Sequence, residues 1–414
     1  MSATDDQPSW PTGAPSRLVM TLLLGLLVSF APMTIDLYLP AMPVMTADLM
    51  TDAEAMQLTL SVYMVGFALS QTFFGPFSDR FGRKKTILLG TTIYVVASVA
   101  CALATNVEEL IVFRLFQAIG AAAAPVVARA VIRDMFAREE AARMFSVVMS
   151  VTAIAPVVAP VLGGFIVEWL DWRANFWVLT GFGATAMLLV IFLLPETNRM
   201  PDPSATRMGP MLTNFATMLA SRTYAGYLLT VMGTFGGLFA YLIGSSFVLV
   251  DQLGMSEREY GLSFGGASIG FMSGAIVGSR IVRRVGIERM CLIGTGFTAF
   301  SGALIFVLIW SGFVTVWSVI VPTVIYFAGM GLSQPNVQAG AISPFPRMAG
   351  AAASLLGLAQ YISAGAFSII VGVFAFDPTH LLATVMGCAG VFAFTVFLLM
   401  IWIPRRRGMP PDQG

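Results

Sequence analysis

The sequence predicts an all-α membrane protein of twelve transmembrane helices in two six-helix bundles. Three observations carry this: the composition, the spacing of apolar runs, and the placement of basic residues between them. Of 414 residues, 57% are hydrophobic and only 11% charged, and mean hydropathy is +0.82. Soluble chains are about half apolar and about a quarter charged, and a surface kept in water must stay largely polar. A bilayer is the solvent that fits.

A spanning helix needs about 20 mainly apolar residues. Such runs occur near 18–43, 55–77, 86–105, 108–130, 141–167 and 174–194. They resume near 223–250, 259–281, 290–311, 315–339, 350–375 and 380–403. With both termini cytoplasmic, 19 of the 23 basic residues fall in cytoplasmic loops and tails. Only Arg173 and Arg258 fall outside, and Arg114 and Arg129 lie within helix four. Basic residues accumulate on the cytoplasmic side of membrane proteins, so a miscounted helix would break this alternation.

The resulting map is a cytoplasmic tail (1–17), a first bundle (18–194), a linker (195–222), a second bundle (223–403) and a basic tail (404–414). The first stretch is polar and rich in Pro and Ser. The apolar run after it lacks a small-residue cleavage site and carries an acid, so it reads as a retained span. The linker holds Pro195, Pro201, Pro203 and Pro210. A faint repeat relates the halves. Gly75-Pro-Phe-Ser-Asp79-Arg80-Phe-Gly82-Arg83-Lys84 follows helix two, and Ser279-Arg280-Ile-Val-Arg283-Arg284-Val-Gly286 follows helix eight. Arg80 and Gly82 align with Arg284 and Gly286. Paired six-helix repeats with a substrate site near midplane are a recurrent transporter plan.

Several chemistries lack their residues. Cys101, Cys291 and Cys388 sit in apolar runs without metal-ligand spacing, and His380 is the single histidine. No phosphate-binding loop of the Gly-x-x-x-x-Gly-Lys-Ser/Thr type and no Ser/His/Asp set occurs. The expectation is a chain without cofactor or metal, driven by neither ATP nor catalysis. A net charge of +1 gives no reason to expect nucleic acid.

An ionisable group in hydrocarbon is costly and marks function by default. Asp36, in Thr34-Ile-Asp36-Leu-Tyr38-Leu-Pro40, and Arg114, in Arg114-Leu-Phe-Gln117-Ala-Ile-Gly120, are the candidates. Burial disfavours a charged carboxylate and a nearby arginine favours it. A carboxyl that changes surroundings as the bundles move would therefore couple protons to transport. A static ion pair, or hydration of Asp36 near the outer interface, is the plainer reading.

Helix five contains Pro156, Pro160, Gly163 and Gly164. Proline removes a backbone donor and bends a helix, and small residues allow close helix approach. This suggests a pivot sealing the pore, or a kinked packing helix. Tyr38, Tyr63, Gln117, Phe235, Phe239, Tyr241, Gln334, Asn336, Gln338, Gln360 and Tyr361 are amides and aromatics spread over several helices. Together they suit an amphipathic ligand, and singly they serve as helix packing.

These motifs resemble the major facilitator superfamily, and within it the drug:proton antiporters of the bicyclomycin- and chloramphenicol-resistance group (Bcr/CflA). The likeness runs from Thr34 to about Gly372. The loop from Gly75 to Lys85 is similar to the superfamily's signature after helix two. Arg114, Gln117 and Gly120 resemble its helix-four proton-coupling motif. Ile35-Asp36-Leu-Tyr38-Leu-Pro40-Ala-Met-Pro43 resembles the group's helix-one pattern, and Phe345-Pro-Arg347-Met-Ala-Gly350 the approach to helix eleven. Helix five has Ala159 where the antiporter motif usually has glycine, a variant frequent in this group. Val28-Ser29 stands where some cation exporters carry a second acid, which points to neutral or zwitterionic cargo.

The resemblance implies a major facilitator fold and export of small amphipathic drugs against protons by a monomer in a bacterial inner membrane. Asp36 and Arg114 would couple protons. Gly75, Asp79, Arg80, Gly82, Arg83, Arg133 and Asp134 would form a conformational latch, with Asp79 engaging the start of helix eleven near Gly350. The plainer alternative makes Arg83, Lys84 and Lys85 topology anchors only. A proton-linked metabolite exporter or importer is compatible with the same fold, and a non-transporting sensor is the alternative from another class.

Overall fold

The computed structural model describes residues 15–136, 144, 147, 148, 152, 154–198, 208–345, 348–373 and 377–406. The tail before residue 15, the arginines 138, 143, 199, 207, 347 and 407, and most of the first half of the fifth span lie outside the described residues. The described residues are helical throughout, without a strand.

The first span is made of pieces: α1 (Arg17–Val28), α2 (Phe30–Asp36), a 3-10 turn (Leu39–Ala41) and α3 (Met42–Asp48). The sequence reads 18–43 as one run, but α1 and α2 meet at a 46° bend. Proline explains both breaks. Pro32 and Pro40 have no N–H to give to the carbonyls of Val28 and Asp36, so α1 ends at Val28 and α2 at Asp36.

Spans two to four are α4 (Ala53–Phe81), α5 (Arg83–Ala102) and α6 (Val107–Met135). The described part of span five is α7 (Ala155–Trp169), and span six is α8 (Trp172–Leu193). The second half holds α10 (Arg222–Ser246, continued as a π-helix to Gln252), α11 (Glu257–Val285), α12 (Ile287–Trp310), α13 (Val316–Ile342) and α14 (Ala349–Val373). It ends with α15 (Pro378–Phe397), a π-turn and the short α16 (Ile403–Arg406). Among the described residues nine helices are long and apolar enough to span. The bent first pair makes a tenth, and α7 and α14 contribute shorter apolar segments. Starts are fixed by side-chain caps: Asp52 accepts from Ala55 N at 2.7 Å, and Ser256 and Glu259 form a capping box.

The linker differs from expectation. It contains an amphipathic helix, α9 (Met208–Ala220), whose Phe215 and Met218 are buried against Tyr224, Phe345 and Ala352 of the second half. The repeat is visible in the backbone. Gly82 (φ 101°, ψ 154°) and Gly286 (φ 91°, ψ 154°) begin α5 and α12 in the same left-handed geometry, which favours glycine. These turns and α16 share one end of the molecule, the basic end.

Within the first bundle α6 packs on α4 and α5, and α5 on α8. Within the second, α12 packs on α13 and α15, and α11 on α13. Two seams join the bundles: α7 with α11, and α4 with α14. The outer surface carries Phe192, Trp177, Phe300, Trp317 and Leu69 exposed, an apolar face that belongs against lipid.

Candidate transport site

Asp36 ends α2 at the proline-enforced break and is 5% exposed. Among the described residues it has neither a hydrogen-bond nor an ion-pair partner. Its charge is felt by Tyr260 of α11 and Tyr361 of α14, both in the other bundle. It is a buried carboxyl without a donor among the described residues, at the break in the first span.

Arg114 is fully buried and not paired with Asp36 in this conformation. Its guanidinium lies between the rings of Tyr38 and Tyr63, 4.5 and 4.4 Å from their centroids. Such cation–π contacts strengthen when desolvated. Nη1 donates to Gln117 Oε1 at 2.8 Å, and Gln117 Nε2 to Ser98 Oγ at 2.8 Å. Among the described residues, Arg114 Nε and Nη2 and the Tyr63 hydroxyl find no partner. Tyr38 shares a 2.5 Å hydrogen bond with Thr59. Arg114 thus reaches the helix-one break through Tyr38, two residues past Asp36.

A row of rings crosses the seam. Tyr63 and Phe67 stack at 6.1 Å, Phe67 meets Tyr361 at 4.9 Å, and Tyr361 meets Phe239 at 6.1 Å. Phe235 follows Phe239 at 6.0 Å. Six predicted residues, Tyr38, Tyr63, Gln117, Phe235, Phe239 and Tyr361, join this cluster or its arginine. Others do not. Tyr241 is buried inside the second bundle against Phe264 and Phe327. Gln334 Nε2 donates to Thr234 Oγ1 at 2.6 Å, and Asn336 Nδ2 to Leu332 O at 2.8 Å. Both amides serve helix packing. Gln338 is exposed on α13, and Gln360 is half-buried on α14.

At the basic end, Arg83 is the hub. It is 4% exposed and donates to Asp79 (2.5 Å), Asp134 (2.8 Å) and Ser78 (2.7 Å). Asp134 therefore pairs with Arg83, while Arg133 is exposed and makes no ion pair among the described residues. Arg80 is exposed, its guanidinium 5.1 Å from the Phe81 ring. Gly75 has ordinary room, with Val126 3.8 Å from a hypothetical Cβ. At Gly82 a Cβ would lie 2.6 Å from Glu196 Oε2. The expected contact of Asp79 with the region of Gly350 falls where side-chain surroundings are not described. What is described is the half of the latch within one bundle.

The helix-five residues line the α7–α11 seam. A Cβ on Gly163 would overlap Leu37 O at the helix-one break, and one on Gly164 would lie 2.5 Å from Glu257 O. Reciprocally, a Cβ on Gly261 would overlap Pro160 O. Pro160 is interior, but Pro156 sits in the first turn of α7, where no donor is missed. Only one of the two prolines interrupts the described helix.

The chain matches the model of the family described as the Major Facilitator Superfamily over residues 22–368. It belongs to that superfamily. It is 29% identical over 387 residues to a bicyclomycin resistance protein homolog of Haemophilus influenzae, covering 93% of this chain and 96% of that one. It is 28% identical over 389 residues to multidrug resistance protein D of Escherichia coli, covering 93% and 95%. A crystal structure of a D-xylose-proton symporter shares the fold, with TM-score 0.78, 16% identity, and 93% and 98% coverage. This major facilitator protein is a multi-pass membrane transporter and not an enzyme.

Sequence reasoning missed several residues that hold the basic end of this facilitator. Glu196, in the expected linker, accepts from the amides of Arg83 (2.9 Å) and Lys84 (3.2 Å) that open α5. Asn198 donates to the carbonyl of Asp79 at 2.8 Å. In the second half the polarity is reversed: Glu288 opens α12, and Arg405, just past the last span, pairs with it at 3.1 Å. The matching Pro195-Glu196 and Pro404-Arg405 dipeptides were the available signal.

Proposed function

We propose that the chain exports small amphipathic organic molecules from bacterial cells across the inner membrane in exchange for protons, by alternating access of bundles 18–194 and 223–403. The basic end faces the cytoplasm, as basic residues accumulate there, and the working unit is a monomer. The observation that carries this is Asp36: a buried carboxyl at a helix break, with no partner among the described residues and within electrostatic reach of Tyr260 and Tyr361 of the opposite bundle. A proton from outside binds Asp36 as the drug leaves. Rocking then opens the carboxyl toward the cytoplasm, the proton departs, and new cargo enters against the Phe67–Tyr361–Phe239 row. Arg114 sets the potential at the break through Tyr38.

The names of the Haemophilus influenzae and Escherichia coli relatives support a drug as cargo. The α7–α11 seam closes the end away from the basic one, as expected for an inward-facing state. The test is drug export by everted vesicles under an imposed pH gradient. Asp36→Asn is expected to insert normally and to lose proton-driven export. Undiminished export by that variant sinks the coupling role.

A further inference from the structure

A third charge lies within the spans and takes no part in the cycle above. Arg129, on α6 toward the basic end, donates through Nη2 to Gln71 Oε1 of α4 at 3.2 Å. Its guanidinium also acts electrostatically on Tyr361 of α14, the phenol that feels Asp36. Tyr361 therefore stands within electrostatic reach of both groups, and Arg129 shares this neighbour with Asp36 where Arg114 does not.

Two facts define its setting. Arg129 is solvent-exposed, and its hydrogen bond to Gln71 places it where α6 meets α4. It therefore lines a water-accessible vestibule among α4, α6 and α14. Gly357, opposite, leaves Gln71 Oε1 3.8 Å from where a Cβ would stand. The second fact is charge. Arg83 is matched by two carboxylates, Arg173 by two and Arg405 by one. Among the described residues Arg129 has none, and its one hydrogen-bond partner is a neutral amide. Low-dielectric walls focus the field of such a charge on whatever passes.

We propose that Arg129 is the specificity-determining residue for substrate charge. It favours organic anions and zwitterions that turn their anionic end toward it, and disfavours permanent organic cations. This rests on the efflux reading for its biological sense but not for its test.

The test uses two isosteric ions, tetraphenylborate and tetraphenylphosphonium, which differ in charge and hardly in shape. Their binding to the purified full-length protein is followed by tryptophan fluorescence, and the affinity ratio is compared between variants, so that partition into detergent cancels. Arg129→Lys is expected to keep the wild-type ratio. Arg129→Gln is expected to move it toward the cation by on the order of tenfold, about 1.4 kcal/mol, with unchanged elution as a monodisperse protein. An unchanged ratio in Arg129→Gln, or no binding of either ion to the wild type, overturns the proposal. Absence of proton-driven export by the wild type, with the ratio shift intact, would instead sink the efflux reading and leave this one standing.

Discussion

At the scale of single residues, glycine and proline decide more than charge does. Pro40 ends α2 at Asp36 and so places the carboxyl at a break instead of inside a continuous helix. Gly163 then lets α7 approach that break at Leu37. Gly82 and Gly286 separate two effects that usually come together. Both need a left-handed backbone, which costs a side-chain-bearing residue roughly 1–2 kcal/mol. Only Gly82 has Glu196 where a Cβ would go, while nothing lies within 4 Å at Gly286. Gly286→Ala is therefore expected to lower thermal stability by the conformational cost alone. Gly82→Ala is expected to lower it more and to free Glu196 from the α5 amides. Equal melting shifts for the two variants in detergent would contradict the steric account.

Residue reasoning also marks what was legible in the sequence. Asp36 and Arg114 were found because a charge inside an apolar run is visible without any structure. The burial of Arg114 between Tyr38 and Tyr63 follows from helix packing that no local pattern encodes. Arg83 was harder. Asp79 lies one helical turn away, but Glu196 and Asp134 are distant in sequence, and nothing local distinguishes Asp134's partner, Arg83, from its exposed neighbour Arg133. Arg129 was counted but left unassigned, because periodicity does not say which polar positions line water.

At the scale of elements, the spans followed from hydropathy, and the repeat from two glycines. The linker did not. A proline-rich polar stretch reads as a linker and does not announce a helix, yet α9 buries Phe215 and Met218 in the second bundle. Its apolar face was masked by the prolines before it. Element ends are held by side-chain caps. Asp377 is one, standing just before α15. Its carboxylate caps α15 through His380 N, contacts the His380 ring at 2.7 Å and accepts from Gln252 Nε2 at 3.1 Å. Burial pushes this carboxyl upward, but the bonds from His380 and Gln252 outweigh it and hold it below the usual carboxylate range. Because the folded value is depressed, its stabilisation is complete above the unfolded value, about 3.9. That stabilisation is lost as pH falls through the folded value. Asp377→Ala is expected to cost about 1 kcal/mol near neutral pH. The gap to wild type should close in melting curves taken below about pH 3.9. A gap that persists in acid would contradict the capping role.

At the scale of the molecule, the two seams define where the bundles can rock. A Cβ on Gly365 of α14 would lie 4.0 Å from the Val65 Cβ of α4, within the range of about 3.5–4.5 Å for a disulfide. The pair Val65→Cys and Gly365→Cys is expected to cross-link on mild oxidation and to stop transport, with recovery on reduction. Each single variant, carrying the buried Cys101 and Cys291 and the exposed Cys388, serves as the control. Cross-linking without loss of transport would mean that the α4–α14 seam stays closed through the cycle.

The reversed polarity at the basic end has a consequence for how two similar halves avoid confusion. In one half an acid from the linker, Glu196, docks on the amides of Arg83 and Lys84 that open a helix. In the other an arginine from the tail docks on a helix opened by Glu288. Were these segments exchanged, acid would meet acid and cation would meet cation. Repulsion of the wrong partner gives selectivity that attraction alone does not. A chain built from a repeated plan thereby labels each copy, and each following segment is favoured on its own half.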